Sequence, residues 1–138
     1  MASIFSMIKA GDIPGNFVWK DEIGFAILTI QPINQGHLLV IPNEEVDHWD
    51  DLKPSVAAHL MNVSQTLAKA LKVAFPSKRV GLVIAGLEVP HTHIHLFPVN
   101  ELADFDFALA KDASADDLAK AATSIKAALE AQSINHGC

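Results

Sequence analysis

Apolar positions in the first forty residues come in short runs separated by turn formers. Ser3 to Ala10 suits a short helical turn, stopped by Gly11-Asp12 and Pro14. Phe17-Val18-Trp19 reads as a short strand. After Asp21-Glu22, the run Gly24 to Ile30 reads as a buried strand. Pro32, Asn34 and Gly36 punctuate, and His37 to Ile41 is a further apolar β-branched run ended by Pro42, which makes an antiparallel meander. The period then changes. Val56, Leu60, Val63, Leu67 and Leu71 recur at helical spacing, with Pro54-Ser55 at the start and Pro76 at the end. Val80 to Ala85 and Thr92 to Val99 are strand-like, joined by a turn around Gly86. Ser114 to Ala131 is helical, with Ser114 as N-cap and Asp116-Asp117 in the favourable first turn. The predicted class is α+β: a five-stranded antiparallel sheet with two main helices, the longer one across the sheet.

A chain of 138 residues, half of them apolar, fits one domain over 1–138. Charge narrows the partners. Sixteen acidic against ten basic residues leave a net charge of −6, with no Lys/Arg cluster, which argues against nucleic acid. A small phosphorylated ligand stays open, because histidines and backbone N–H groups can hold it. The single cysteine, Cys138, forms no internal disulfide. No stretch reaches about 18 apolar residues, so no membrane span is expected. The expected location is cytoplasmic.

The chemistry is concentrated in Pro90-His91-Thr92-His93-Ile94-His95-Leu96-Phe97-Pro98. At strand period His91, His93 and His95 share one face, while Thr92, Ile94 and Leu96 point the other way, the last two into the core. A metal site is one reading, but the first and third histidine stand roughly 13–14 Å apart at strand rise, too far for one ion. A polar structural ladder is another. Imidazole chemistry supplies the functional reading: neutral histidine near pH 7 is a nucleophile toward phosphorus. A second, protonated imidazole would stabilise phosphoryl oxygens and give a proton to the leaving group. No metal or other cofactor is required. His37, in Gln35-Gly36-His37-Leu38-Leu39-Val40-Ile41-Pro42, would lie beside the triad if its strand is adjacent.

With these motifs the sequence resembles the histidine-triad (HIT) family, from Ile4-Phe5 through Phe97-Pro98 and including Ile8 to Pro14. The resemblance implies a homodimer whose two sheets join into one of ten strands, and binding of a purine nucleotide or other nucleoside phosphate on the triad face. It implies that His93 is the nucleophile, that His95 contacts phosphate and assists the leaving group, and that His91 and His37 orient the site. A transient nucleotidyl-histidine would then lead to cleavage of a nucleoside phosphoramidate or related bond. A dinucleoside polyphosphate hydrolase and a non-catalytic nucleotide-binding module are the alternatives.

Departures from the family pattern also carry expectations. Ser3 and Ser6 stand where many relatives place a Cys-x-x-Cys zinc pair, so no structural zinc is expected, and His48 loses that role. Thr29 stands where many relatives grip ribose with Asp, and Ile27 is a candidate pocket wall beside it. Glu88 falls near the leaving group, where its carboxylate would repel a polyphosphate and suit an amine. Trp19, Trp49 and Phe25 are weighed between pocket and packing. His59 and His136 read as incidental, and the segment 102–138 has no assigned role.

Overall fold

The computed structural model describes residues 2–138. In chain order they form α1 (Ile4–Ala10), β1 (Phe17–Lys20), β2 (Gly24–Leu28), β3 (Leu38–Pro42), α2 (Pro54–Ala74), β4 (Arg79–Val83), β5 (Ile94–Val99) and α3 (Ala115–Ala131). Single 3-10 turns follow β3 and β5, at Trp49–Asp51, Leu102–Asp104 and Phe107–Leu109. All strand pairs are antiparallel, in the order β1-β2-β3-β5-β4. The meander therefore covers three strands, and β5 enters between β3 and β4.

Period-two alternation sorts the strands between two faces. Ala26, Leu28, Leu38, Val40, Ile94 and Leu96 pack against Leu60, Val63, Leu67 and Leu71 of α2 and Leu118, Ile125 and Leu129 of α3. The opposite residues, Phe25, Ile27, Leu39 and Ile41, pack against Phe5 and Ile8 of α1. Burial on both faces explains why β2 and β3 read as unbroken apolar runs. It also decides where chemistry can lie. Ile94 and Leu96 face the helices, so His93 and His95 face the α1 side, which one short helix only partly covers.

The helices start and stop for local reasons. Pro54 opens α2 at a first-turn position where its missing N–H costs nothing, and Ser114 caps α3 by accepting from Asp117 N–H. Ser3 caps α1 in the same way through Ser6 N–H, and Gly11, at φ 89°, closes it in the left-handed region. No helix among the described residues is long and apolar enough to cross a membrane.

Two histidines that read as incidental are structural. The main chain of His136 pairs with the β1 edge, its carbonyl accepting from Lys20 N–H at 2.7 Å. The His59 ring lies 2.7 Å from the Asp21 carboxylate, which also accepts from the Trp19 indole and from Ile23 and Gly24 N–H. Trp19 thus belongs to the β1–β2 turn, not to a ligand pocket. Burial alone would raise the Asp21 pKa, but these four hydrogen bonds outweigh it and hold the carboxyl at about 2.

A group with a depressed folded pKa stabilises the fold above its unfolded pKa, and that stability is lost as pH falls through the folded value. Asp21→Ala should therefore cost about 1–3 kcal/mol at pH 7 in urea unfolding. The gap from wild type should shrink between about pH 4 and pH 2; a gap independent of pH would show that the carboxylate is not the source.

Candidate active site

β5 begins at Ile94, so His91 and His93 sit in the approach to the strand and not within it. Thr92 fixes that approach: its N–H and its hydroxyl both donate to the Val46 carbonyl, at 2.8 and 2.7 Å. The three imidazoles nonetheless all lie on the α1 side of the sheet. His93 and His95 line a cavity, whereas His91 is fully buried beneath α1.

The hydrogen bonds assign the protons on each ring. His93 Nδ1 lies 2.8 Å from the His91 main-chain carbonyl, which can only accept, so Nδ1 carries the proton. In the neutral ring Nε2 is then a free lone pair. Burial lowers the His93 pKa below its ordinary value, the His91 carbonyl and Glu88 offsetting part of the shift, so the neutral form prevails at pH 7.

The neighbouring ring has the opposite tautomer. Ile33 N–H donates to His37 Nδ1 at 3.0 Å, which leaves the proton of neutral His37 on Nε2. That Nε2 is 2.9 Å from His95 Nδ1 and donates to it, so neutral His95 carries its own proton on Nε2. Burial lowers His37 to about 3 and His95 to about 4, with the adjacent imidazoles adding to both shifts. With ring centres 5.0 Å apart, His93 offers a lone pair and His95 an N–H. The expectation of a protonated second imidazole is not met: burial and the His37 donor both favour neutral His95.

His91 is held from two sides. Its Nε2 lies 2.8 Å from the Pro42 carbonyl and its Nδ1 lies 2.6 Å from the Ser3 hydroxyl. Phe5 packs edge-on against both His91 and His93, at 5.7 and 4.9 Å between ring centres. On the far side of the site, Phe107 meets His95 edge-on at 4.8 Å.

The cavity holds about 330 Å³, within the range of small-molecule sites. Ile4, Phe5, Ile8, Ile27 and Leu39 form an apolar wall; Asn16, Thr29, Glu88, His93 and His95 are its polar groups. Thr29 lies one residue past the end of β2, where its N–H donates to the His37 carbonyl. Of the residues weighed for the pocket, Ile27, Thr29 and Glu88 line it; Phe25 is buried behind it, and Trp49 is exposed elsewhere. Sequence reasoning missed Asn16 and the α1 residues, which only the folded chain brings to the cavity.

The family of the chain follows from this geometry and from comparison with known proteins. A model of the HIT domain matches residues 10–102, and the chain belongs to the histidine-triad (HIT) family. An uncharacterized HIT-like protein of Methanocaldococcus jannaschii is 32% identical over 69% of this chain and 77% of its own length. The adenosine 5′-monophosphoramidase of Saccharomyces cerevisiae is 33% identical over 70% of this chain and 62% of its own. The asymmetrical bis(5′-nucleosyl)-tetraphosphatase of Schizosaccharomyces pombe is 32% identical over 63% and 50%. Among solved structures, a hypothetical histidine triad nucleotide-binding protein from Sulfolobus tokodaii superposes with TM-score 0.82 at 25% identity, covering 92% of this chain and 91% of that one. A zinc-bound histidine triad protein from Mycobacterium smegmatis gives 0.80 at 27%, covering 96% of each.

The residues of this chain do not fit a zinc ion beside α1. Ser3 and Ser6 present hydroxyls, the Ser3 oxygen is already engaged by His91 and by the helix cap, and His48 is exposed. Among the described residues no group of three His, Cys, Asp or Glu side chains is arranged to hold a metal.

Lowered pKa values keep these rings neutral into acid. In an NMR titration from pH 8 to 5.5 the ring signals of His37 and His95 should stay fixed, because their transitions lie near 3 and 4. Movement of either signal near pH 6.5 would contradict the proton assignment.

Proposed function

We propose that this chain hydrolyses or transfers a nucleotidyl group through a covalent intermediate on His93. The observation that carries the reading is the pair of opposite tautomers: one buried ring with a free Nε2 lone pair, its neighbour with an Nε2–H, both on one cavity. His93 Nε2 attacks the phosphorus of a nucleoside phosphoramidate or related substrate. A nitrogen–phosphorus bond forms as the bond to the leaving group breaks. The His91 carbonyl accepts from Nδ1–H throughout and stabilises the positive charge that grows on the ring. His95 acts as a neutral donor to the leaving atom, and a departing amine takes its proton from solvent at the cavity mouth. Water then attacks phosphorus, the bond to His93 breaks, and the proton lost by that water returns to solvent. The products are a nucleoside monophosphate and the free leaving group.

The apolar wall from α1 and β2 suits a purine base. The Thr29 hydroxyl accepts from Gln31 N–H at 3.3 Å and keeps its own hydrogen for a ribose oxygen. Among the described residues, Glu88 is the sole formally charged side chain on the cavity. Its carboxylate disfavours a polyphosphate leaving group, so the phosphoramidate branch is preferred over the dinucleoside polyphosphate branch.

The same reading includes a homodimer. The β1 edge is occupied by the main chain at His136, whereas β4 ends the sheet with no further strand among the described residues. Beside that open edge lie the exposed apolar side chains Leu82, Leu102 and Phe105. Pairing of two β4 edges would bury them and extend the sheet to ten strands.

The test follows nucleoside monophosphate release from adenosine 5′-phosphoramidate and from a diadenosine polyphosphate, with chelator present. Wild type should release product from the phosphoramidate and His93→Ala should not; equal rates would defeat the covalent mechanism. Glu88→Gln should raise the rate on the diadenosine polyphosphate relative to the phosphoramidate by up to about tenfold. An unchanged ratio removes Glu88 from substrate choice. Light scattering should give a dimer for wild type and a monomer for Leu82→Asp combined with Leu102→Asp; a monomeric wild type overturns the dimer.

A further inference from the structure

We infer that Ser3, which lies outside the segment matched by the family model, is a positioning residue for His93, acting through His91. The inference rests on the reading of His93 as nucleophile. The lone pair at His93 Nε2 exists because its Nδ1 proton is committed to the His91 carbonyl. Whatever fixes residue 91 therefore fixes the tautomer and tilt of the nucleophile.

Both nitrogens of the His91 ring are used. Pro42 O can only accept, so His91 Nε2 carries the proton and, in the neutral ring, Nδ1 must accept. Ser3 supplies the donor at 2.6 Å, much nearer than its other acceptor, the Ser6 hydroxyl at 3.4 Å, and among the described residues no main-chain N–H is bonded to that nitrogen. The ring is 0% exposed, so a lost donor cannot simply be replaced by bulk water.

Ser3 is itself held in place. Its N–H donates to Glu45 at 2.7 Å, and its oxygen accepts from Ser6 N–H at 3.1 Å as the N-cap of α1. The Ser6 hydroxyl and the Ser3 N–H together hold the Glu45 carboxyl below its ordinary range. One hydroxyl thus joins two structures: the helix that carries Phe5 over the catalytic ring, and the histidine whose carbonyl orients that ring. A cap alone would need only an acceptor. The contact with His91 needs a donor as well, and a serine or threonine hydroxyl provides both.

Ser3→Ala, Ser3→Thr and Ser3→Gly separate these roles, with circular dichroism and thermal melting confirming that each variant is folded. Kinetics on adenosine 5′-phosphoramidate are combined with 15N NMR of the histidine rings, which reports the His93 tautomer without turnover. Ser3→Ala should lower kcat about tenfold, the loss of one well-placed hydrogen bond. It should also reduce the fraction of His93 protonated on Nδ1. Ser3→Thr should restore both. Ser3→Gly caps nearly as well as serine but offers His91 Nδ1 no donor, so kcat should stay low while KM remains near wild type.

Recovery of kcat by Ser3→Gly would show that the hydroxyl is only a cap and would overturn the inference. So would a Ser3→Ala variant with wild-type kcat and an unchanged His93 tautomer. If wild type itself does not turn over, the nucleotidyl-transfer reading fails on its own. The NMR comparison then still decides: an unaltered His93 ring in Ser3→Ala overturns the positioning role, and a redistributed tautomer upholds it.

Discussion

The arrangement of the site depends on one constraint: His93 Nδ1 and His37 Nδ1 each meet a main-chain group whose hydrogen-bonding sense cannot be reversed. The His91 carbonyl can only accept and Ile33 N–H can only donate. The first forces the proton of His93 onto Nδ1; the second, relayed through His37, forces the proton of His95 onto Nε2. Two chemically identical side chains two residues apart thereby acquire different tautomers. Main-chain groups are well suited to this task, because they neither titrate nor rotate away. The relay also needs register, since the pairing of Leu39 with His95 on adjacent strands is what brings His37 against the second imidazole.

Burial completes the assignment. An imidazole free in water titrates near neutral pH and exchanges its tautomers. Here desolvation and mutual repulsion lower His37 and His95 well below the ordinary imidazole value, and desolvation lowers His93. The apolar packing that accomplishes this is the second, smaller core, built from Phe5, Ile8, Phe25, Ile27, Leu39 and Ile41. Hydrophobic contacts on that face therefore do more than stabilise the fold. They set the dielectric in which a neutral imidazole is the resting form, and their exposed rim is the wall of the cavity.

Much of this was legible in the residues. Period two and period 3.6 mark the strands and helices, because each buries one stripe or two alternating faces. His37 could be placed beside the triad because adjacent antiparallel strands bring their ends together. What escaped was non-local or set by a strand boundary. Ser3 meets His91 across 88 positions, and Asp21 meets His59 across 38, so no local pattern announces either contact. Three alternating histidines read as one open face, but β5 starts only at Ile94 and α1 covers His91, so His93 and His95 line the cavity and His91 does not. The insertion of β5 between β3 and β4 likewise leaves no mark on hydrophobic period.

The short α1 illustrates how the two cores and the site are joined. Seven residues form too short a helix to persist alone in water, because nucleation costs more than so few turns return. Its existence therefore depends on Phe5 and Ile8 packing on the sheet, on the Ser3 cap, and on the Lys9 ammonium bonding to Asn43 at 2.9 Å. The dependence runs in the other direction as well. Without α1 the faces of His91 and His93 lose the Phe5 ring, the cavity loses much of its apolar wall, and water reaches His93, which burial keeps neutral. A helix that is stable only when docked on the site thus couples local folding of the N-terminal segment to the protonation of His93 and to the accessibility of the cavity.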